Sequence, residues 1–405
     1  MSNDASGMKN KPKEHMTSRE RMMCAMTGGT PDRIPVAPDI SNMVPCRRTG
    51  KPFWEIYVNN DPPLGHAYMD AVRHYGMDGW YIYGRMDYQV KTPLQTKRDI
   101  VKRDDHWLVT STIETPDGEL RYADYAGIDN PPSPTEKMIK DFKRDFNKFR
   151  WLFQPVTGYN ADNHHIDKAV VGDDAVMCYG ASPPGLHMFL GYFEGNMEAV
   201  VYAYYDEPDL FAELCDMHIK REMQKLEILL DLKVDSVLTG GSGSITLQSM
   251  DIWRELSLPT IKRITRACKQ AGVISGIHSC GLQREMVEVC ANETDLDYIN
   301  PLEVPPMGDC NLAALKKSVG DKICLMGNLH TTDLMLLGKP ADVTRESLRA
   351  ICDAGAGGGF ILSTGDQCGR DTPDENILAM VETAKAYGHY PLDMDAICCA
   401  LEKNG

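Results

Sequence analysis

Val273-Ile274-Ser275-Gly276-Ile277-His278-Ser279-Cys280-Gly281 reads as a short apolar strand that runs out into a His-x-Cys pair beside glycine. Apolar, partly β-branched residues before a turn residue favour a buried strand. Just upstream, Asp251 to Ala271 places Ile252, Leu256, Ile261, Ile264 and Ala267 at helical spacing, with Pro259 as a kink. A helix leading into a buried strand is one unit of a β/α repeat.

The alternation extends in both directions. Strand-like runs precede this one at Arg33-Ile34-Pro35-Val36-Ala37-Pro38, Trp80-Tyr81-Ile82-Tyr83, Ala175-Val176-Met177-Cys178 and Asp235-Ser236-Val237-Leu238. Others follow at Leu296-Asp297-Tyr298-Ile299, Ile323-Cys324-Leu325-Met326 and Gly359-Phe360-Ile361-Leu362. Helical patterns separate most of them, including Asn196 to Leu232, Ala341 to Ala354 and Asp374 to Tyr387. Eight such units predict an α/β fold of the (β/α)₈ TIM-barrel type. An open doubly wound sheet is the rival, but no Gly-x-Gly-x-x-Gly follows the first strand, which weakens its dinucleotide form.

One stretch interrupts the alternation. Trp107 to Tyr125 reads as a β-hairpin about Pro116-Asp117-Gly118, inserted near 105–126 between the second and third strands. Asn130-Pro131-Pro132-Ser133-Pro134 ends it as a loop. Near the start, Thr17-Ser18-Arg19-Glu20 forms a capping box for a helix over Arg21 to Thr27. Residues 1–16 are expected to be a disordered arm and 17–405 a single barrel domain.

The chain has 405 residues, 42% of them hydrophobic and 25% charged, enough for a sizeable core. Its formal charge of −15 argues against a nucleic-acid partner. No apolar run approaches a membrane span, and the N-terminus lacks a signal-type apolar segment. A cytoplasmic location is therefore expected. The 13 cysteines should then be free or metal-bound rather than paired. Cys24, Cys215, Cys268, Cys290 and Cys352 fall in helical patterns and read as core residues.

Barrel strands deliver chemistry at their C-terminal ends. His278 and Cys280 follow the fifth strand, Glu303 the sixth, Asn328 and His330 the seventh, Asp366 and Cys368 the eighth. Imidazole and thiolate donors select zinc over magnesium or calcium. Three protein ligands, His278, Cys280 and Cys368, would leave zinc the open position of a catalytic site. Glu303 reads as a catalytic residue, a general acid when protonated, or as a fourth ligand, a positioning carboxylate or an ordinary loop acid. His330 is a candidate general acid, or a cap for the Thr331-Thr332-Asp333 helix start. Asn328 and Asp366 are candidate substrate contacts, and Asn328 also fits a loop-holding role. Tyr83, with Trp54, Tyr57 and Tyr81, suits an aryl pocket or plain core packing.

These motifs carry a resemblance. The chain resembles the uroporphyrinogen decarboxylase superfamily through Arg19-Glu20-Arg21, Pro31-Asp32-Arg33-Ile34-Pro35-Val36, His278-Ser279-Cys280-Gly281, Gly327-Asn328-Leu329 and Gly359-Phe360-Ile361-Leu362-Ser363-Thr364-Gly365. Within it, the chain looks like the zinc-dependent corrinoid methyltransferases, whose His-x-Cys and distant Cys ligands match His278, Cys280 and Cys368. The resemblance implies a (β/α)₈ barrel and methyl transfer from a small methylated substrate, a methoxylated aromatic as in bacterial O-demethylases, to the cobalt of a corrinoid (cobalamin). That corrinoid would arrive on a partner protein. A corrinoid-to-thiol reaction of the coenzyme M type is the alternative. The decarboxylase branch, which is metal-free, carries spaced arginines where this chain has Ser41-Asn42-Met43-Val44-Pro45-Cys46-Arg47-Arg48. The oligomeric state stays open, a homo-oligomer included.

Overall fold

The computed structural model describes residues 14–403. The expected arm falls mostly outside them. Its last part, Glu14 to Met16, lies against the body: Glu14 pairs with Arg21 and Arg33, and the His15 and Met16 N–H groups donate to Asp32.

In chain order the strands are β1 (Gly79–Tyr81), β2 (Asp87–Val90), β3 (Gln95–Lys102), β4 (His106–Thr115), β5 (Gly118–Gly127), β6 (Ser133–Glu136), β7 (Val156–Asn160), β8 (Ala175–Gly180), β9 (Ser236–Gly240), β10 (Ile274–His278), β11 (Tyr298–Asn300), β12 (Cys324–Leu329) and β13 (Phe360–Thr364). β1 and β8 through β13 pair in parallel as a seven-stranded sheet, in the order β1-β8-β9-β10-β11-β12-β13. The first expected strand, at Arg33 to Pro38, survives as a single parallel bridge from Val36 to Leu362. Ala37 donates to the Leu362 carbonyl, Leu362 to the Pro35 carbonyl, and Asp78 to the Val36 carbonyl. The segment thus joins β13 to the entrance of β1 and closes the barrel. Pro35 and Pro38 have no N–H to donate, so a longer ladder cannot form there.

Charge reinforces this seam. The Asp78 carboxylate takes Arg21 Nη1 at 2.7 Å, Arg33 Nη1 at 2.7 Å and the Val36 N–H at 2.9 Å. All three side chains are almost fully buried, and each guanidinium has further partners. A buried charge persists only when paired in this way.

Inward-facing Trp80, Val176, Ile274, Tyr298, Met326 and Ile361 fill the barrel with Met22, Ala25 and Met26 of helix Ser18–Met26, which plugs the lower end. The capping box on that helix forms as expected, between Thr17 and Glu20. Gly276 leaves room for the Tyr298 ring, because a Cβ there would lie 2.1 Å from a ring atom. Helices Leu258–Ala271, Pro340–Ala354 and Asp374–Tyr387 pack their apolar faces on the outside.

Between β1 and β8 the chain builds two antiparallel pieces, the pair β2–β7 and the four-stranded sheet β3-β4-β5-β6. β4 and β5 turn at Pro116-Asp117. A phenylalanine-rich core, including Phe142, Phe146, Phe149, Phe193 and Phe211, fastens this region to helices Asn196–Asp206 and Pro208–Asp231. Among the described residues, no helix is long and apolar enough to cross a membrane.

Candidate metal and substrate site at the barrel mouth

His278 is the last residue of β10, and Cys280 stands two residues on, at a turn that Gly281 makes possible. Gly281 has φ +95°, and a Cβ there would lie 1.8 Å from Thr246 Oγ1. Its N–H donates to a Glu303 carboxylate oxygen. Glu303 comes from the loop after β11 and is 5% exposed, so it can swing little. Asp366 follows β13 with φ +100°, a left-handed backbone that a non-glycine residue adopts at a cost. Donor atoms of Cys280, Glu303 and Asp366 all lie within 4.8 Å of one another. His278 Nε2 is 3.9 Å from Asp366 Oδ1 and 3.5 Å from the Ser242 hydroxyl. The other imidazole nitrogen, Nδ1, is buried without a partner.

The mouth is therefore dense in acidic donors. Burial pushes the Cys280 thiol up and Asp366 adds to this, while Ser242 and the Gly243 N–H pull the other way. Burial likewise raises Glu303, against the Gly281 hydrogen bond. A cation would relieve both. The set combines thiolate, imidazole and carboxylate, a chemistry that fits zinc.

Above this cluster opens a cavity of about 400 Å³, lined by Asp39, Ser41, Trp80, Ile82, Ser182, Leu238, Thr239, Ser242, His278, Asp366 and Gln367. Sequence reading passed over Asp39, Ser182 and Ser242. Asp39 sits just past the reduced first strand, where the strand-end logic applied elsewhere would have flagged it. Its carboxylate accepts the Ser41 N–H at 3.0 Å, and burial raises its pKa against the Ser41 hydrogen bonds.

The expected residues divide into four groups. His278, Cys280, Glu303 and Asp366 converge. Cys368 lies on the Asp366 loop but is fully buried, outside the set of donors within 4.8 Å. Its N–H donates to the Asp39 carbonyl, and burial pushes its thiol up to about 12. Asn328 and His330 line a separate cavity, beside helix Pro340–Ala354. His330 Nδ1 accepts the N–H groups of Thr332 and Asp333, the capping role. Tyr83 packs against Tyr68 and Tyr81 and donates its hydroxyl to the Ser41 carbonyl. It supports the mouth from behind and does not line the cavity.

The profile of the uroporphyrinogen decarboxylase (URO-D) family matches residues 186–387. The chain is 24% identical over 257 residues to a uroporphyrinogen decarboxylase of Neisseria meningitidis, covering 59% of this chain and 64% of that one. It is 28% identical over 148 residues to a methylcobamide:CoM methyltransferase of Methanosarcina mazei, covering 36% and 40%. The matches thus span less than two thirds of these relatives. A solved methyltransferase structure from Methanosarcina mazei superposes with a TM-score of 0.62 at 16% identity, over 92% of this chain and 99% of that one. The fold and the matched half define an α/β barrel enzyme class. The chain belongs to the uroporphyrinogen decarboxylase superfamily.

Proposed function

We propose that this chain is a zinc-dependent methyltransferase, moving a methyl group from a small methylated molecule to the cobalt of a corrinoid that a partner protein carries. The convergence of His278, Cys280, Glu303 and Asp366 at the barrel mouth carries this reading. His278, Cys280 and Glu303 hold the metal, together with a donor from the loop 366–368. Zinc's preference for thiolate favours Cys368 as that donor, in keeping with the sequence pattern. Bound there, zinc supplies positive charge to a substrate oxygen or sulfur.

The chain's own residues do the rest. Glu303 is fixed by the Gly281 N–H and holds the Cys280 loop in place. Trp80, Ile82 and Leu238 give the cavity apolar walls suited to an aromatic ring, and so to a methoxylated aromatic donor. His330 caps the next turn through Nδ1 and lines a separate cavity, so it has no role at the mouth in this reading.

A corrinoid-to-thiol reaction is the second reading, favoured by the methylcobamide:CoM methyltransferase among the relatives. Coenzyme M carries a sulfonate, however, and among the described residues no Lys or Arg lines the mouth cavity. Decarboxylation of a tetrapyrrole meets the same objection more strongly. Arg47 and Arg48, in the segment where the decarboxylases carry their arginines, both pair with Asp374.

The test is elemental analysis of anaerobically purified protein, followed by transfer from a methoxylated aromatic to a cobalt(I) corrinoid. About one zinc per chain and a methylcobalt absorbance change are expected. No zinc after reconstitution under reducing conditions would sink the proposal.

A further inference from the structure

The two ring nitrogens of His278 have different surroundings. Nε2 lies toward the mouth, 3.9 Å from Asp366 Oδ1 and 3.5 Å from the Ser242 hydroxyl. Nδ1 is buried and has no partner among the described residues. The sheet register fixes what stands beside it. His278 pairs with Gly240 of β9 on one side and with Asn300 of β11 on the other. Gly240 has no side chain to offer. Asn300 has an amide and is almost fully buried, and neither its Oδ1 nor its Nδ2 has a partner among the described residues. Both side chains point into the barrel. Two residues earlier on the same strands, Gly276 leaves its side-chain space to the ring of its register partner Tyr298, which belongs to the barrel interior. Strand residues two apart share a face. Register partners on neighbouring strands stand about 4.8 Å apart. Two buried polar groups without partners therefore lie side by side, and buried polar groups are rarely left so.

Resting on the methyl-transfer reading, we infer that Asn300 is a positioning residue for His278: its amide oxygen accepts the Nδ1–H, so that the Nε2 lone pair is offered to the metal. A neutral imidazole carries its proton on one nitrogen and its lone pair on the other, and the hydrogen bond made by one fixes the role of the other. A metal-bound histidine ordinarily gives its second N–H to such an acceptor, which sets the orientation and basicity of the ring. An amide supplies the acceptor without adding a charge beside Cys280, Glu303 and Asp366. The backbone of Asn300 is tied to the same turn. Its carbonyl accepts the Ser279 N–H at 3.0 Å and Gln283 Nε2 at 2.8 Å, which joins the end of β11 to the segment that carries His278 and Cys280.

Two variants test this. Asn300→Leu keeps the volume and removes the acceptor, whereas Asn300→Asp keeps an acceptor. Zinc affinity is read by chelator competition, and the tautomer by histidine-selective nitrogen NMR, with His278→Gln marking the His278 signals. In metal-free wild type the proton should sit on Nδ1 of His278, and zinc should bind through Nε2. Asn300→Leu should lose about 10- to 100-fold in zinc affinity and shift the proton toward Nε2. Asn300→Asp should restore both the affinity and the Nδ1–H signal, a rescue that a role in packing alone would not give. Wild-type affinity and tautomer in Asn300→Leu, or an equal loss in both variants, would overturn the inference. A wild-type proton on Nε2 would overturn it too, and that result holds even where circular dichroism shows a variant unfolded. A wild type that takes up no zinc strikes the methyl-transfer reading instead, and the tautomer of its His278 still decides the Asn300 contact.

Discussion

Gly281, one residue beyond Cys280, donates its backbone N–H to the Glu303 carboxylate. That bond ties the loop after β10 to the loop after β11 at the candidate metal site. Glutamine can still accept this N–H but brings no charge. Glu303→Gln is expected to keep the fold and lose at least about 10- to 100-fold in zinc affinity, the range reached even by groups that only support a metal ligand. Glu303→Ala should also cost about 1–3 kcal/mol of stability, since the Gly281 N–H is left buried and unpaired. Chelator competition and urea unfolding read the two effects separately. Wild-type zinc affinity in Glu303→Gln would confine the residue to holding the loop.

Whether Asp366 or Cys368 completes the donor set is a question of sulfur count. Cobalt(II) in place of zinc gives thiolate charge-transfer absorption that grows with each bound sulfur. Two thiolates are expected, with Cys280→Ser and Cys368→Ser each removing about half the band and lowering zinc retention. A band unchanged in Cys368→Ser and weakened metal binding in Asp366→Asn would make the carboxylate the ligand.

The barrel seam depends on Asp78, where Arg21, Arg33 and the Val36 N–H converge. Asp78→Asn leaves two buried guanidinium groups short of charge. Removing one member of such a buried set costs about 3–5 kcal/mol. The surface ion pair of Arg73 with Asp174 offers a control, and Arg73→Ala should move the urea midpoint far less. Similar urea midpoints for the two variants would show that the seam does not rely on charge.

Much of the barrel is legible in sequence because its strands are buried on both faces and therefore continuously apolar. β8 and β13 are such strands, and helix Asp374–Tyr387 has the expected boundaries. The helical region Asn196 to Leu232 is two helices, broken at Glu207 before Pro208. β3 escapes a hydrophobic reading because Gln95–Lys102 is exposed along its whole length. Only its partner β4 shows the alternation of a half-buried strand. In the site, His278, Cys280, Glu303 and Asp366 are legible from their place after strands. His330 shares that place, yet its ring turns to cap the next turn, a local hydrogen bond that spacing does not reveal. Asp39 shares it as well, directly after the Arg33 to Pro38 run, and the same strand-end rule makes it legible.

Acid sensitivity should report a different buried group, His187. It is 8% exposed, and its ring nitrogens lie 3.3 Å from the Ser244 hydroxyl and 3.3 Å from the Gln248 amide. Burial, with His218 adding, pushes its pKa down to about 4. In the unfolded chain histidine titrates near 6.5. Below that value the unfolded state takes up a proton that the folded state refuses, so stability falls as pH drops from about 6.5 and levels off below about 4. The full loss is on the order of 3 kcal/mol. Most of it should appear between pH 7 and 4.5. Asp32 contributes later: burial opposes its charge, but the Arg21 hydrogen bond and the Met16 and His15 N–H groups hold it well below the ordinary carboxylate range. Its stabilisation is complete above about pH 4 and lost only in stronger acid. Urea unfolding of wild type and His187→Gln across this range isolates the histidine. The variant should lose less stability on acidification, by about 2 kcal/mol or more. Parallel curves would show that His187 is no more reluctant to protonate in the folded protein than in the unfolded chain.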